Sequence, residues 1–428
     1  MPTHEPRQTL KNAINSSPIQ ANRIERPFLV PIKASQALIP LTQDGSGLNG
    51  VKRILQINGR SDLSGGPIAM FRLLQEMHDQ PFQHTVVCPK NSNGILKDLE
   101  KLKHVQTECM ELRRISPSSI VKLYRLLSTQ SFDLIHCHGK AAGLYGRVLG
   151  RWFGVPVIHQ FHGLHYRHYL PGLREAYLYI ERLLSKITEH IICVSESECA
   201  EAESLGLFKP GKGLVIPNGV DGAKFQSNAE RRNTLRNKWK IPQEAWVLLS
   251  ITRANFQKDL EMTLAVHQSV RREHPKCVLV LAGVKAEELQ RLVRKKIPCD
   301  ASHVICAPPE HSMERLINVA DCYLSTSRWE GFSLGLIEAL AMNLPAVISR
   351  VTGNLDFIGL ESEGVFLVSQ TSPESYSKTI QRILQSDIHG KSARSTVLKR
   401  YSQKRIKQDF SRLYFNIMND FEMRIKKN

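Results

Sequence analysis

The sequence predicts an α/β protein made of two successive doubly wound, Rossmann-like domains. Short apolar runs alternate with amphipathic segments along most of the chain, the pattern of parallel sheets covered by helices. The runs fall in two series, near Ile54, Val86, Ile135, Val157, Ile192 and Val215, then near Leu248, Leu279, Val304, Tyr323, Val347 and Phe366. A break near 219–240 separates them, as expected where one doubly wound unit ends and the next begins. Finally, 428 residues are too many for one small core, and a composition of 42% hydrophobic and 23% charged residues can fill two.

Taken in order, residues 1–50 are polar and turn-rich, ending in Asp44-Gly45-Ser46-Gly47, and are expected to be a poorly ordered extension and linker. Met1 to Gln20 has no apolar core of the kind a secretory signal needs. The apolar residues from Phe28 to Leu41 are interrupted by Pro31, Lys33, Ser35 and Gln36, so they read as a linker or a surface arm. Order begins at Val51. The expected divisions are 51–222, 223–400 and a final segment 401–428. Amphipathic segments include Pro171–Lys186, Leu260–Arg271 and Ser372–Leu384. In the last segment Ile406, Phe410, Leu413, Tyr414, Ile417 and Phe421 recur at spacings of three and four, one stripe of a helix. No run approaches the length of a membrane span. Nine cysteines are scattered without a Cys-x-x-Cys, which fits buried reduced thiols in a cytosolic protein better than disulfides or zinc.

The net charge is +18, and Lys391 to Asn428 holds 11 Lys or Arg against three Asp or Glu, almost half of the excess. Such a surface attracts nucleic acid, anionic lipid or a phosphorylated substrate, although a solvated helix face explains any single cation equally well. No nucleic-acid motif of recognisable spacing accompanies it. The expected partner is therefore lipid or a lipid-linked diphosphate, and not nucleic acid.

The stretch Ser325 to Pro345 reads as strand, tight turn and helix. Gly331 breaks the chain, Ser333 caps a helix over Leu334–Met342, and Pro345 closes it. Glu330 lies before this helix and Glu338, eight positions on, inside it. The helix N-terminus offers free N–H groups and a positive dipole end to a phosphate. One carboxylate then sits at the phosphate end, the other about one and a half turns along. A nucleotide sugar has hydroxyls at both ends and phosphates between, and matches that spacing. Elsewhere, Arg253 and Lys258 flank a strand-to-helix loop, a spacing that lets two cations converge on one diphosphate and that two unrelated surface cations explain as readily. Gly65-Gly66 precedes a helix expected from Ile68 and permits close backbone approach, without the full Gly-x-Gly-x-x-Gly of a dinucleotide site. His136, His138, His159, His162 and His165 follow or end strands, where ligands of doubly wound sheets bind. Taken singly, each is as readily a packed or surface histidine as a functional one. Pro217-Asn218-Gly219-Val220-Asp221 is a turn between the two halves.

The Ser325–Pro345 block resembles the Glu-x7-Glu motif of the retaining GT-B glycosyltransferases, glycosyltransferase family 4. The resemblance extends over roughly residues 50–428. It implies two Rossmann-like domains facing a central cleft, with the last helix crossing back onto the N-terminal domain. Arg253 and Lys258 match the family's diphosphate-binding pair, aided by backbone N–H groups around Gly331, Phe332 and Ser333. Glu330 would hold a hydroxyl of the donor sugar and Glu338 the ribose. His162 matches the histidine that contacts the transferred sugar, with His138 second to it, and Gly65-Gly66 is similar to the glycine loop across the cleft, beside the acceptor. Cations that neutralise the departing diphosphate remove the need for a metal, and no Asp-x-Asp stands in a matching place. No cofactor is then expected beyond a UDP-, GDP- or ADP-linked sugar as co-substrate. Asn343 and Asp259 stand where the family favours Gly, and Asp356 where Glu is common.

The segment His162–Ser195 resembles bacterial enzymes of exopolysaccharide or O-antigen synthesis. That implies an acceptor sugar on a polyprenyl diphosphate, and a cytoplasmic protein peripheral on the inner face of the membrane. Tyr166, Arg167, His168, Tyr169 and Arg174 suit such an acceptor. Two other readings stay open on sequence: a nucleotide-sugar epimerase of similar architecture, and a non-catalytic basic protein that binds membrane or nucleic acid.

Overall fold

The computed structural model of the chain describes residues 50–427 apart from 115, 296–300, 309–311, 370–371 and 386–392. The extension expected over 1–50 thus lies, save Gly50, outside the described residues, as does Cys299. The other eight cysteines are free thiols.

The first half runs β1 (Lys52–Asn58), α1 (Gly65–Glu76), β2 (Phe82–Cys88), α2 (Leu96–Leu99), β3 (Val105–Cys109) and α3 (Pro117–Thr129). It continues with β4 (Leu134–His138), α4 (Lys140–Phe153), β5 (Val157–Gln160), α5 (Pro171–Ser185), β6 (His190–Cys193), α6 (Glu196–Ser204) and β7 (Gly213–Val215). The second half opens with α7 (Ala229–Lys238), β8 (Val247–Ile251), α8 (Leu260–Glu273), β9 (Val278–Ala282), α9 (Ala286–Lys295) and β10 (Val304–Ala307). Then come α10 (Met313–Ile317), β11 (Cys322–Ser325), α11 (Leu334–Ala341), β12 (Ala346–Ser349) and β13 (Val365–Val368). The chain closes with α12 (Pro373–Gln385), α13 (Arg394–Tyr401) and α14 (Gln403–Lys427).

Among the described residues these strands form two parallel sheets, ordered β3-β2-β1-β4-β5-β6-β7 and β10-β9-β8-β11-β12-β13. Sequence pattern found every strand but β3. That edge strand, Val-Gln-Thr-Glu-Cys, buries only Val105 and so lacks the apolar run that marks a central parallel strand. The helix expected from Ile68 begins earlier, at Gly65, with the glycine pair inside its first turn.

In each sheet the order in which strands are added reverses once, between β1 and β4 and between β8 and β11. Ligands of doubly wound sheets sit beyond the carboxyl ends of strands at such a reversal. Both reversals therefore point to specific loops: β1–α1, β4–α4, β8–α8 and β11–α11.

The last helix returns to the first sheet. Phe410, Leu413, Tyr414 and Ile417 are buried there, and the Tyr414 hydroxyl meets Gln56 Nε2 at 3.2 Å and His136 Nδ1 at 2.8 Å. The chain thus crosses between the sheet domains twice, and the crossings lie side by side: Val220 N donates to Tyr401 O at 2.8 Å and Gln403 N to Val220 O at 3.0 Å. The expected turn at Asn218-Gly219 forms part of this crossing, and Asn218 Nδ2 also donates to Phe332 O at 3.0 Å.

Candidate active site

The two reversals face each other. After β8 come Arg253 and Lys258; after β11 come Glu330 and the start of α11. Lys258 Nζ lies 2.6 Å from Glu330 Oε1, and both side chains are largely buried. Arg253 makes no ion pair among the described residues. Burial, together with Arg60 across the cleft, lowers its affinity for its proton, while Asp62 and Glu330 raise it. It thus feels charges from both domains.

Ser333 caps α11, its Oγ accepting from Leu336 N at 3.3 Å. Glu338 follows within the first turn and a half of this helix, its carboxylate buried and hydrogen-bonded to Arg72 of α1. Phe332 points away from the cleft: its ring packs against Phe357 and Tyr401 in the core, so any part it takes in binding belongs to its backbone. Gly331 meets the opposite domain directly. A Cβ there would stand 2.5 Å from Gly163 N and 2.9 Å from His162 C, so only glycine permits this approach.

On the facing side, His162 packs over Gly66, where an added Cβ would come within 3.3 Å of the imidazole, whereas Gly65 opens onto free space. His138 is not at the mouth but behind His162. Its Nδ1 is 3.2 Å from His162 Nε2 and its Nε2 is 2.9 Å from Gln56 Oε1. Gln56 directs its amide nitrogen at Tyr414 and His84, so its oxygen faces His138 as an acceptor. His138 must then carry its proton on Nε2 and accept on Nδ1, which requires His162 to donate from Nε2. Burial holds His162 neutral, its pKa pushed down to about 4. The consequence is a fixed tautomer whose Nδ1 lone pair is a hydrogen-bond acceptor, suited to a sugar hydroxyl.

Sequence reasoning missed four residues here. Arg72, Gln56, Arg60 and Asp62 lie on or beside β1 and α1, and nothing local in the sequence links them to partners in the other half of the chain. Asp356 is also placed differently from the cleft: it accepts from Glu196 N, Ser197 N and Ser197 Oγ, capping α6 across the domain boundary. Nearby Trp329 Nε1 meets His165 Nδ1 at 3.2 Å, another contact between the halves.

Two family models match the chain, Glycosyltransferase Family 4 over residues 63–224 and Glycosyl transferases group 1 over 231–405. The chain belongs to the GT-B glycosyltransferases. Among its relatives is the UDP-Gal:alpha-D-GlcNAc-diphosphoundecaprenol alpha-1,3-galactosyltransferase of Escherichia coli, 24% identical over 75% of this chain and 85% of that one. The putative glycosyltransferase EpsD of Bacillus subtilis is 24% identical over 70% and 80%. The crystal structure of Anabaena Alr3699/HepE in complex with UDP and glucose shares the fold of this glycosyltransferase, with a TM-score of 0.72 at 16% identity over 84% and 98%. No helix among the described residues is long and apolar enough to cross a membrane.

Proposed function

We propose that this glycosyltransferase moves a sugar from a nucleoside diphosphate to an acceptor hydroxyl with retention at the anomeric carbon, in the synthesis of a bacterial surface polysaccharide. The observation that carries this reading is the Lys258–Glu330 ion pair at the β8/β11 reversal, with Arg253 in the field of Glu330 and Glu338 buried on the helix that follows. Arg253 and Lys258 would stabilise the departing diphosphate, with N–H groups at the start of α11. Glu330 would orient the sugar and Glu338 the ribose. The chain supplies two cations for the leaving group, and we assign no metal to the reaction.

His162 would accept a hydrogen bond from a sugar hydroxyl through Nδ1, while the open space at Gly65 admits the acceptor. The meeting of Gly331 with Gly163 would exclude water from the transfer and limit hydrolysis. The E. coli relative, whose acceptor is a diphosphoundecaprenol-linked sugar, supports a lipid-linked acceptor here, met at the cytoplasmic membrane face. The Anabaena complex supports UDP as the first nucleotide to try.

The test is a thermal-shift screen of UDP-, GDP- and ADP-sugars on the wild type, Glu338→Ala and Arg253→Ala. One nucleotide sugar should stabilise the wild type and neither variant. Equal stabilisation of all three proteins would place the ligand elsewhere, and release of free epimerised sugar without acceptor would overturn transfer.

A further inference from the structure

We infer that the outer face of α3, α4 and α5 is the surface that seats this enzyme on an anionic lipid bilayer. The three helices lie side by side over one face of the first sheet: the Tyr124 and Phe153 rings are 5.1 Å apart, and Arg147 Nη2 of α4 meets Glu181 Oε2 of α5 at 2.9 Å. Each buries one stripe against the sheet and leaves a second apolar stripe in solvent. On α3 that stripe is Ile120, Val121 and Tyr124; on α4 it is Val148 and Trp152, the latter 75% exposed. On α5, Tyr179, Ile180 and Leu183 continue it. Positions i, i+1 and i+4 recur on α3 and α5 and i, i+4 on α4, so the exposed residues of each helix share one direction. Solvent-facing helices of a soluble protein are normally polar there, and a contiguous apolar area marks an interaction surface.

Charge selects the occupant. Lys122, Arg125 and Arg151 stand exposed among these apolar side chains and Lys186 follows α5, and none forms an ion pair among the described residues. From Ser116 to Ser185 the acidic residues are Asp133, which lies before β4 and accepts from Arg53 N, Glu175, exposed beside Arg174, and Glu181, buried against Arg147. On the basic C-terminal helix Lys407, Arg405 and Arg424 are paired with Asp79, Asp409 and Glu189, while Lys404, Arg412, Lys426 and Lys427 form no ion pair among the described residues. Unpaired cations thus stand among the eight exposed aromatic and aliphatic residues of these three stripes, against two, Met423 and Ile425, on the C-terminal helix. Apolar side chains that enter a lipid interface beside cations that meet its anionic headgroups form an interfacial anchor. The patch also reaches the reaction site. Leu170 and Leu173, 73% and 63% exposed, open α5 directly after the loop whose His165 touches Trp329. A lipid-linked acceptor lying in that bilayer would meet the cleft at its rim.

The purpose of this surface rests on the lipid-linked acceptor proposed above, but its test does not. Full-length protein is sedimented with vesicles of phosphatidylcholine alone and of phosphatidylcholine with phosphatidylglycerol. It should bind the anionic vesicles and not the neutral ones. Tyr124→Ser/Trp152→Ser and Lys122→Glu/Arg125→Glu/Arg151→Glu should each lower partitioning on the order of tenfold or more. Arg424→Glu/Lys426→Glu/Lys427→Glu should leave it unchanged. All these positions are exposed, and an unaltered nucleotide thermal shift in each variant certifies the fold; loss of that shift in the wild type would instead sink the donor-site reading. The inference is overturned if the α3–α4 variants bind as the wild type does, or if the tail variant alone loses binding. It is equally overturned if wild type ignores anionic vesicles, or if equilibrium sedimentation shows a dimer that Tyr124→Ser/Trp152→Ser dissolves, since the face would then join two copies.

Discussion

Arg72 of α1 and Glu338 of α11 form a hydrogen-bonded ion pair that ties the two sheet domains together across the cleft. Glu338 is also the carboxylate assigned to the ribose, so a nucleotide must share it with the guanidinium or displace it. Removing the cation leaves a buried carboxylate short of a partner, which costs on the order of 1–3 kcal/mol until ligand hydroxyls replace it. Arg72→Met should therefore melt lower than the wild type without ligand and gain a larger increment from the cognate nucleotide sugar. Thermal shift with and without donor reads both, and an equal or smaller increment would show that arginine and ribose do not compete.

The chain from Gln56 through His138 to His162 fixes a tautomer at a distance. Gln56→Leu removes the acceptor that holds the His138 proton on Nε2. It should lower kcat about tenfold, a magnitude typical of groups that orient a contacting side chain, with the donor KM little changed. A long-range 15N–1H correlation spectrum should show His162 protonated on Nε2 in the wild type and a mixture in the variant. A spectrum identical in both would remove Gln56 from this role.

Burial makes the first sheet domain sensitive to acid. His162 and His165 are pushed down to about 4 and His84 to about 3, with His136, His138 and His159 also lowered, burial being the leading cause for each. The unfolded chain binds protons near 6.5 that the folded chain refuses, so stability is full above that value and falls as pH drops from 6.5 toward 4. Glu198 opposes this. Raised to about 7 by burial, it gives stability at low pH that is lost between 4.5 and 7, and Glu196, also raised, acts in the same sense, but the lowered histidines, His168 and His190 included, outnumber the two. Urea midpoints should therefore decline steadily from pH 6.5 to 4. His162→Gln should flatten part of that slope, and a midpoint independent of pH would refute the buried neutral state.

At Gly331 the constraint is contact and not backbone strain. Gly331→Ala puts a methyl group against Gly163 N, and the domains can make room only by parting. Transfer should fall by 10²-fold or so, as expected when reacting groups separate by about 1 Å. Stability should change little. Activity with circular dichroism melting separates the two, and an active Gly331→Ala enzyme would show that this contact is not part of the working state.

Asn343 and Asp259, which occupy family glycine positions, both adopt left-handed backbone with φ of 62° and 48°. Their polar side chains tolerate that region, and Asp259 adds a cap on α8 through Met262 N. Asn343→Ala should cost about 1–2 kcal/mol, while Asn343→Gly should stay within about 1 kcal/mol of the wild type. Urea denaturation distinguishes these from a pair of equal losses.

These two positions also show what can be read from a sequence and what cannot. A backbone requirement travels with its own residue, so a departure from glycine is visible locally and the structure supplies its meaning. Buried parallel strands are equally legible, because both faces demand apolar residues; β3, with only Val105 buried, carries no such mark. The residues proposed for the donor site stand out in the sequence since Arg253 to Lys258 and Glu330 to Glu338 are short spans set by one loop and one helix. Arg72 does not, because its partner lies 266 positions away and neither residue's neighbours announce it. Likewise the basic tail drew attention by composition, yet only the fold reveals that Arg405, Lys407 and Arg424 are answered by carboxylates, while Lys122, Arg125 and Arg151 of α3 and α4 stand unpaired among exposed apolar side chains.

The return of α14 to the first sheet has a consequence for biogenesis. The ribosome finishes the strands of that sheet early, but Phe410, Tyr414 and Ile417, which cover it, emerge about two hundred residues later. At ordinary elongation rates the half-made protein waits on the order of tens of seconds with an uncovered apolar surface. A nascent chain of this design needs shelter until its final turn of helix is released, and shortening its C-terminus by that helix would leave the opening domain without its lid.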